Sequence, residues 1–193
     1  MGRPRVHDQN TAAALLAEAE RLLQERGAAA LSLREVASGA GTSTQAIYSL
    51  FGSKEALLGA LGARAMELLH AGVDAVPVTD DPRRDLVDAA LMFRSFALGH
   101  PALFEVSFQR VDPAVGPRFR ATAAEALAAL MRRFEPLAAA GLLGGRSVPE
   151  AVVAFDSLCE GMASVELRGI PFGLDPEQMW RAAVLALLNG FAA

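Results

Sequence analysis

The apolar residues of this chain recur three and four positions apart almost throughout, and no run alternates apolar with polar residues. Spacing of three and four is typical of amphipathic α-helices, whereas alternation indicates strands. The first such segment runs to Arg26, with Asp8 or Asn10 as its N-cap and Gly27 as its end. The sequence therefore predicts an all-α protein.

Two short helices joined by a tight turn are predicted within residues 32–51, SLREVASGAGTSTQAIYSLF. Ser32 is placed to cap the first helix, with Glu35 completing a capping box. Gly41 can take the positive φ of a tight turn, and Ser43 is placed to cap the second helix. On a helical wheel the second helix has an apolar arc of Ile47, Leu50 and Phe51 and a polar arc of Thr44, Gln45, Tyr48 and Ser49. The two caps and the polar arc favour a helix-turn-helix, whose second helix enters the DNA major groove, over a helical hairpin inside a core.

The segments after residue 52 are also helical in pattern and are separated by turn residues. Ser53 is placed to cap a long helix, and residues 76–81, with a proline and two aspartates, predict a linker. An alanine-rich helix over residues 118–140 contains Pro136, which we expect to kink it or to end it near Phe134. Other helices are predicted to follow Asp81 and Pro82, to hold Leu103, Phe104 and Phe108, to follow Ser147 with Glu150 as a second capping box, and to run from Asp175 to near Gly190.

The composition is that of a globular protein. The chain has 193 residues, of which 52% are hydrophobic, and its mean hydropathy of +0.28 excludes a disordered chain. A single cysteine, Cys159, excludes an intramolecular disulfide and a thiolate metal cluster and is typical of a reducing cytoplasm. The longest uncharged apolar run, residues 182–193, is too short to span a bilayer, and the chain opens without an apolar signal core. We therefore expect a soluble, cytoplasmic protein.

The charge of the chain is acidic overall, with a net value of −4. The first 55 residues hold six basic and six acidic side chains, and the remainder hold twelve basic and sixteen acidic ones. A DNA-binding surface at the front of the chain must therefore depend on where its cations are placed, since their number gives no excess.

Motifs of catalysis are missing from the sequence. The three histidines, His7, His70 and His100, have no spacing that joins them to a carboxylate pair or to Cys159. No phosphate-binding loop, HExxH motif or nucleophile elbow occurs either. The sequence predicts that the protein is not an enzyme and needs no cofactor or metal.

Residues 29–58, AALSLREVASGAGTSTQAIYSLFGSKEALL, resemble the N-terminal domain of the tetracycline-repressor (TetR) family. The resemblance rests on the Ala40-Gly41 turn, on Tyr48 and Phe51 in the recognition helix, and on Lys54 at the start of the next helix. It implies a dimeric transcription regulator, with a repressor as the expected form, that binds an operator with its N-terminal domain and is released by a small-molecule effector.

On this basis we divide the chain by function. Residues 1–52 form a three-helix DNA-binding domain with an arm at residues 1–7, and residues 53–193 form a helical domain for effector binding and dimerisation. A rival hypothesis is a helical ligand-binding or sequestering protein of the same fold without operator binding. The neutral charge of the front third favours this rival, and a steep fall of DNA affinity with salt would exclude it.

The candidate DNA contacts fall into two groups, because phosphate contacts position a protein and base contacts specify the sequence. Tyr48 and Lys54 are candidates for phosphates, and Gln45 and Thr44 are candidates for an adenine edge and a thymine methyl. Arg3 and Arg5 belong to an arm that either enters the minor groove or stays a solvated terminus. The resemblance adds Ser32, Thr42 and Ser43 as further phosphate contacts.

Residues 93–108, FRSFALGHPALFEVSF, resemble the C-terminal domain of one TetR subgroup, in which an aromatic-rich helix runs into a His-Pro turn. That subgroup carries an aromatic residue and a histidine where this chain has Asp156 and Glu160. These carboxylates lie one helical turn apart and would meet a cationic ligand, face solvent, or pair with arginines across a dimer interface.

Ten residues of the C-terminal domain are candidates for lining an apolar effector pocket, although for any one of them plain core packing is the more common explanation. They are Phe93, Phe96, Phe104, Phe108, Met131, Phe134, Phe155, Cys159, Met162 and Trp180. By resemblance, the last two helices pair with those of a second copy, at an interface that includes Asp156, Glu160, Gly161, Ala163 and Ala183.

Overall fold

The computed structural model describes residues 5–27, 30–109, 116–169, 173 and 175–192, with the side chains of residues 5–7 left out. These residues form helices and turns, and no strand occurs among them. The helices are α1 (Arg5–Arg26), α2 (Leu33–Gly39), α3 (Thr44–Phe51), α4 (Lys54–Ala75), α5 (Pro82–Gly99), α6 (Pro101–Phe104) with a π-helical turn (Glu105–Gln109), α7 (Pro117–Ala139), α8 (Val148–Leu167) and α9 (Pro176–Phe191). The prediction of an all-α fold is confirmed.

Packing divides the chain into two compact units. Unit 1 comprises Met1–Met66 and Pro101–Thr122, and unit 2 comprises Glu67–His100 and Ala123–Ala193. Helices α4 and α7 each run from one unit into the other. The functional boundary between residues 52 and 53 is a different kind of division and stays a prediction.

Unit 1 has its core where α1 packs on α2, α3 and α6. The apolar face expected of the first helix is buried, with Leu15 and Ala19 inaccessible to solvent. α1 begins at Arg5, earlier than the predicted caps at Asp8 or Asn10. Its length gives the two short helices a long apolar surface to lie on.

The capping box predicted at the start of α2 is only half formed. The Ser32 hydroxyl accepts a hydrogen bond from the backbone N–H of Glu35, as expected of an N-cap. The Glu35 carboxylate does not return to Ser32, because it binds Arg26 of α1 at 2.9 Å. The carboxylate therefore ties α2 to the end of α1. The second predicted box, Ser147 with Glu150, is complete.

Hydrogen bonds to one carboxylate join α5, α8 and α9 in unit 2. Glu166 of α8 accepts from the Arg94 guanidinium of α5 at 2.6 and 2.9 Å, and from the indole N–H of Trp180 of α9 at 3.0 Å. Trp180 is almost fully buried, so its N–H needs this partner. The bound Arg94 lowers the pKa of Glu166 despite partial burial, which keeps the carboxylate charged.

Of the two outcomes predicted for Pro136, a kink or an end of the helix near Phe134, the structure excludes the second. α7 continues through Pro136 to Ala139. Phe134 and Leu137, which flank the proline, are both inaccessible to solvent. Burying two such side chains contributes roughly 4 kcal/mol, which offsets the roughly 3 kcal/mol that an internal proline costs.

The predicted linker at residues 76–81 is a turn held in place by hydrogen bonds. Both the backbone N–H and the hydroxyl of Thr79 donate to the buried Asp85 carboxylate, at 2.9 and 2.7 Å. Asp81 caps α5 by accepting from the N–H groups of Arg83 and Arg84. These bonds fix the connection from α4 to α5.

By length and composition, α4 is the one helix among the described residues that could cross a membrane. Half of its most apolar stretch is buried inside the protein. A core helix of a soluble protein passes the same test, so its apolar character is explained by packing.

We expect Glu166→Ala to lower the free energy of unfolding by roughly 3 kcal/mol, because it strands a half-buried guanidinium and a buried indole N–H. The control is Glu177→Ala, which breaks an exposed pair with Arg181 on α9 and should cost less than about 1 kcal/mol. Urea unfolding of both variants measures the difference. Equal losses would contradict the special role of Glu166.

Candidate nucleic-acid interface and ligand region

The turn between α2 and α3 has the geometry that the sequence predicted. Gly41 has a φ of +65°, which L-residues with a side chain rarely adopt. The Ser43 hydroxyl caps α3 by accepting from the Ala46 N–H at 3.3 Å. At the other end Gly52, with a φ of +86°, closes α3. The recognition helix is therefore bounded at both ends by its own sequence.

The two arcs of α3 point as predicted. Ile47 is inaccessible to solvent, and Leu50 and Phe51 are half-buried. Tyr48 is 53% exposed, which leaves its hydroxyl free to reach a partner outside the protein. The remaining residues of the polar arc, Thr44, Gln45 and Ser49, are exposed, as is Ser43, whereas Ser32 and Thr42 are half-buried.

Lys54 has a partner within the protein. Its ammonium group donates to the backbone carbonyl of Leu31, just before α2, at 2.7 Å. An ammonium group has three donors, so this bond leaves two for a phosphate. The Ser53 hydroxyl caps the same helix end by accepting from the Ala56 N–H at 3.1 Å. Lys54 thus holds the start of α4 against the residue that precedes the N-cap of α2.

The arm is the part of the predicted interface that stays untested. Arg3 lies outside the described residues, and of Arg5 only the backbone is described, as the first residue of α1. Arg34 of α2 is exposed and adds a cation to the same unit.

The packing units divide the charge of the chain differently from a cut at residue 55. Counted over its sequence, unit 1 holds ten basic and eight acidic residues, whereas unit 2 holds eight basic and fourteen acidic ones. The excess in unit 1 comes from Arg64 and from the segment Pro101–Thr122, which returns to this unit. The unit that carries α3 is therefore net positive, and the neutral charge of the front third describes it incompletely.

The ten candidate pocket residues belong to both packing units. Phe104 and Phe108 stack on each other within unit 1, with ring centroids 5.3 Å apart, and the other eight belong to unit 2. There Phe134 and Phe155 meet edge to face at 5.4 Å. Trp180 uses its only donor on Glu166. Buried in full or nearly so are Phe93, Phe96, Phe104, Phe134, Phe155, Cys159 and Trp180, while Phe108, Met131 and Met162 are half-buried.

A cleft of about 440 Å³ lies elsewhere in unit 2, between the start of α5 and the part of α9 that runs from Arg181 to Asn189. Its walls are mixed in character, with three arginines beside apolar residues. They are Asp81, Arg83, Arg84, Val87, Arg181, Leu185 and Asn189. None of the ten candidate pocket residues lines it.

Asp156 and Glu160 of α8 are half-buried and have no hydrogen-bond or ion-pair partner in the part of the chain that the structure describes. Burial raises the pKa of Asp156. Burial and the neighbouring Asp156 raise the pKa of Glu160 to about 7. Burial, with these two carboxylates, also raises the pKa of the Cys159 thiol between them. The buried thiol is therefore unreactive at neutral pH.

The other candidate interface residues differ in exposure. Gly161 is exposed and Ala183 is half-buried, so both are accessible to a second copy. Ala163 is 2% exposed, because its side chain lies within the core of unit 2 itself, and its place in an interface stays a prediction. Among the described residues no group of three or more histidines, cysteines or carboxylates is placed to hold a metal.

Sequence reasoning missed two sets of side chains that hold helices of unit 2 together. Glu166 binds Arg94 and Trp180, and the guanidinium of Arg133 binds backbone carbonyls at the end of α4. The partners lie between 14 and 72 positions apart. No helical period or motif links residues at such distances, so the sequence carried no signal for them.

The capped turn, the exposed polar arc of α3 and the net positive unit define a helix-turn-helix DNA-binding protein. Two family models match the chain: "Bacterial regulatory proteins, tetR family" over residues 15–61, and "Tetracyclin repressor-like, C-terminal domain" over residues 86–187. The chain belongs to the TetR family of transcription regulators. Members bind operator DNA, typically as dimers, and carry a ligand-binding C-terminal domain.

Solved structures share the fold along nearly the whole chain. A protein of unknown function from Rhodococcus sp. RHA1 is 25% identical, with a TM-score of 0.83 over 95% of this chain and 96% of its own. The TetR regulator PfmR from Thermus thermophilus is 22% identical, with a TM-score of 0.70 over 90% and 96%. AibR, solved with isovaleryl coenzyme A and operator DNA, is 18% identical, with a TM-score of 0.69 over 93% and 98%. No curated protein matches the sequence.

We expect the contribution of Glu160 to the free energy of unfolding to fall as the pH rises from about 4.3, the ordinary pKa of glutamate, to about 7, the pKa of folded Glu160. The folded state holds a proton on Glu160 that the unfolded state releases, so this contribution is greatest at the acid end. Glu160→Gln should flatten this window, whereas the exposed Glu135→Gln should not. Chemical unfolding at a series of pH values measures it. A slope of opposite sign that Glu160→Gln removes would mean that a cation from a second copy pairs with this carboxylate.

Proposed function

We propose that the protein is a repressor whose homodimer holds two operator half-sites about one DNA turn apart, and whose release is caused by a small-molecule effector. The observation that carries the DNA-binding part is the geometry of α3. This helix is closed at both ends, turns Ile47 inward and keeps Gln45 and Tyr48 exposed.

Within this interface we assign the positioning contacts to Tyr48 and Lys54 and the specificity contacts to Gln45 and Thr44. An exposed hydroxyl and an ammonium group with two spare donors suit phosphates. A glutamine near the start of a recognition helix suits the paired donor and acceptor of adenine. Lesser contacts are proposed for Arg3, Arg5, Ser32, Thr42 and Ser43.

The effector site is proposed for the aromatic residues of unit 2, around Phe134 and Phe155, whose rings meet edge to face. An apolar ligand with a polar head suits such a lining. Because AibR was solved with isovaleryl coenzyme A and operator DNA, a short acyl thioester is a reasonable first probe. The cleft between α5 and α9, with its arginines, is the second candidate for the anionic end of such a molecule.

The rival is a ligand-binding protein of this fold that has lost operator binding. The net positive charge of unit 1 speaks against it, since a sequestering protein needs no such excess. Proteins of this family are in general not enzymes, and we extend this to the present chain, together with a cytoplasmic location.

The DNA contacts predict three different losses. Tyr48→Ala and Lys54→Ala should weaken binding to all sequences alike, and Lys54→Ala should reduce the slope of log affinity against log salt by about 2 in the dimer, one unit per phosphate. Gln45→Ala should instead reduce discrimination at one base pair by about 1–3 kcal/mol. Gel shifts and fluorescence anisotropy on an operator selected from random DNA measure all three.

The control for these variants is Arg21→Ala, which removes an exposed cation of α1 that is bound to Glu18 and Glu25 within its own helix. It should leave both the affinity and the salt slope unchanged. Lys54→Ala also loses the bond to Leu31, so its stability has to be measured alongside. If Tyr48→Ala and Lys54→Ala both bind like the unaltered protein, the positioning contacts are wrongly assigned.

An effector should both raise the melting temperature and release the operator, because the effector and the operator change each other's binding affinity by the same factor. We expect at least one acyl thioester or apolar carboxylate to do both, with a tenfold loss of DNA affinity for each 1.4 kcal/mol of coupling. Arg83→Ala tests whether the cleft contributes to the site. A ligand that stabilises the protein without changing DNA affinity would contradict the allosteric part of the proposal.

A further inference from the structure

The cleft between α5 and α9 combines charged and apolar surface within unit 2. Its volume of about 440 Å³ lies within the range of roughly 300–1,000 Å³ that is typical of small-molecule sites. One wall belongs to the start of α5 and the other to α9, which contributes Arg181, Leu185 and Asn189. These three residues are spaced four apart, so they follow one side of the helix.

The arginines of the cleft differ in how they are bonded. Arg181 pairs with Glu177 of its own helix at 2.9 Å, and Arg84 lies 3.9 Å from Asp88. The guanidinium of Arg83 has no hydrogen-bond or ion-pair partner among the described residues, although its Nε atom is buried. A buried donor without a partner costs free energy, which a ligand with a suitable acceptor would recover. Arg83 is therefore the arginine of this lining that is available to an anion.

The acidic residue of the lining is engaged by the backbone. One oxygen of the Asp81 carboxylate accepts hydrogen bonds from the N–H groups of Arg83 and Arg84, each at 3.1 Å. The carboxylate thus caps α5 and makes no ion pair with the Arg83 side chain. Because the cap already occupies these N–H groups, an anion in the cleft would be bound by the Arg83 side chain.

The rest of the lining suits a hydrocarbon chain beside one polar group. Leu185 is 40% exposed, and Val87 adds apolar surface to the opposite wall. Covering Leu185 with a hydrocarbon chain would remove both from water, which is favourable. The Asn189 side chain is exposed, has no partner among the described residues, and offers both donors and an acceptor. This combination favours a ligand that is anionic at one end and apolar at the other.

We propose that the cleft binds small organic monocarboxylates, with the carboxylate on the Arg83 guanidinium and a short alkyl chain against Val87 and Leu185. A guanidinium presents paired N–H donors that match the two oxygens of a carboxylate. Inorganic phosphate suits the cleft less, because it has no apolar part and because Arg84 and Arg181 already have acidic partners.

This site is separate from the aromatic residues around Phe134 and Phe155, none of which lines the cleft. The inference deepens the proposed function, on which it rests for the regulatory meaning of the site. Binding itself is measured without DNA.

The test is a titration of the full-length protein with the series from acetate to hexanoate, followed by saturation-transfer difference NMR. Each added methylene should tighten binding about fourfold, because it is buried in the cleft. Butan-1-ol has the chain without the charge, and inorganic phosphate has the charge without the chain. Each should bind about tenfold more weakly than butyrate.

Two variants separate the two halves of the site. Arg83→Gln should weaken the binding of every chain length by about tenfold, because it removes the paired donors and the charge. Leu185→Ala should leave the affinity for acetate unchanged and reduce the gain per methylene to less than about twofold. The control is Arg132→Ala, which removes an exposed arginine of unit 2 that pairs with Asp74 and does not line the cleft. It should bind the whole series like the unaltered protein.

A second copy of the chain is the other occupant that would suit the cleft, since α9 belongs to the expected dimer interface. Sedimentation equilibrium distinguishes the two occupants. Arg83→Gln and Leu185→Ala should leave the dimer unchanged, and a weaker dimer in either variant would overturn the proposal. The proposal is equally overturned if butyrate binds Arg83→Gln as tightly as it binds the unaltered protein.

Failure of the proposed function looks different. If butyrate binds at Arg83 but leaves operator affinity unchanged, the cleft is a carboxylate site and its regulatory role fails. If butyrate does not bind while a ligand of the aromatic region releases the operator, the proposed function stands and the carboxylate site is refuted.

Discussion

A helix of eight residues does not hold its shape alone in water, because so few hydrogen bonds cannot offset the cost of nucleating it. α3 is such a helix, and Ile47 is its one fully buried residue. Its position is therefore set from outside, by a cap at each end, by α1 and α2 beneath it, and by the bond from Lys54 to Leu31. The DNA-facing surface depends on how well these supports hold.

The same requirement explains why charged groups recur at helix ends in this protein. Arg26 donates to the Glu35 carboxylate, Lys54 donates to the Leu31 carbonyl, and Arg133 lies against three carbonyls at the end of α4. Each replaces water at backbone groups or carboxylates that would otherwise be unpaired. The cations that a DNA-binding protein needs are thus also part of its scaffold, and Lys54 serves both purposes in the proposed interface.

The ligand region is less defined than the DNA interface, for a physical reason. An apolar pocket and an apolar core are lined by the same residue types, so the identity of Phe134 or Phe155 does not show whether the residue lines a pocket or packs in the core. Trp180 illustrates this, because a tryptophan that suits a pocket in the sequence is bound to Glu166 in the structure. Polar groups without partners are more informative, and Asp156 and Glu160 are an instance in the described part of unit 2.

Local rules determined much of this protein from the sequence alone. The caps at Ser43 and Ser147, the positive φ of Gly41 and the two arcs of α3 all depend on residues within about four positions of one another, where helix geometry fixes the distances. Where a remote contact competes with a local rule, only the tertiary structure decides which conformation forms. The Glu35 carboxylate binds Arg26 and does not complete the capping box, and α7 continues past Pro136, where Phe134 is buried. Two further features depend on the path of the chain. One is the membership of α6 and the start of α7 in unit 1, which adds positive charge to that unit, and the other is the cap on α4 by Arg133. The partners in each case lie dozens of residues apart, so no local geometry relates them.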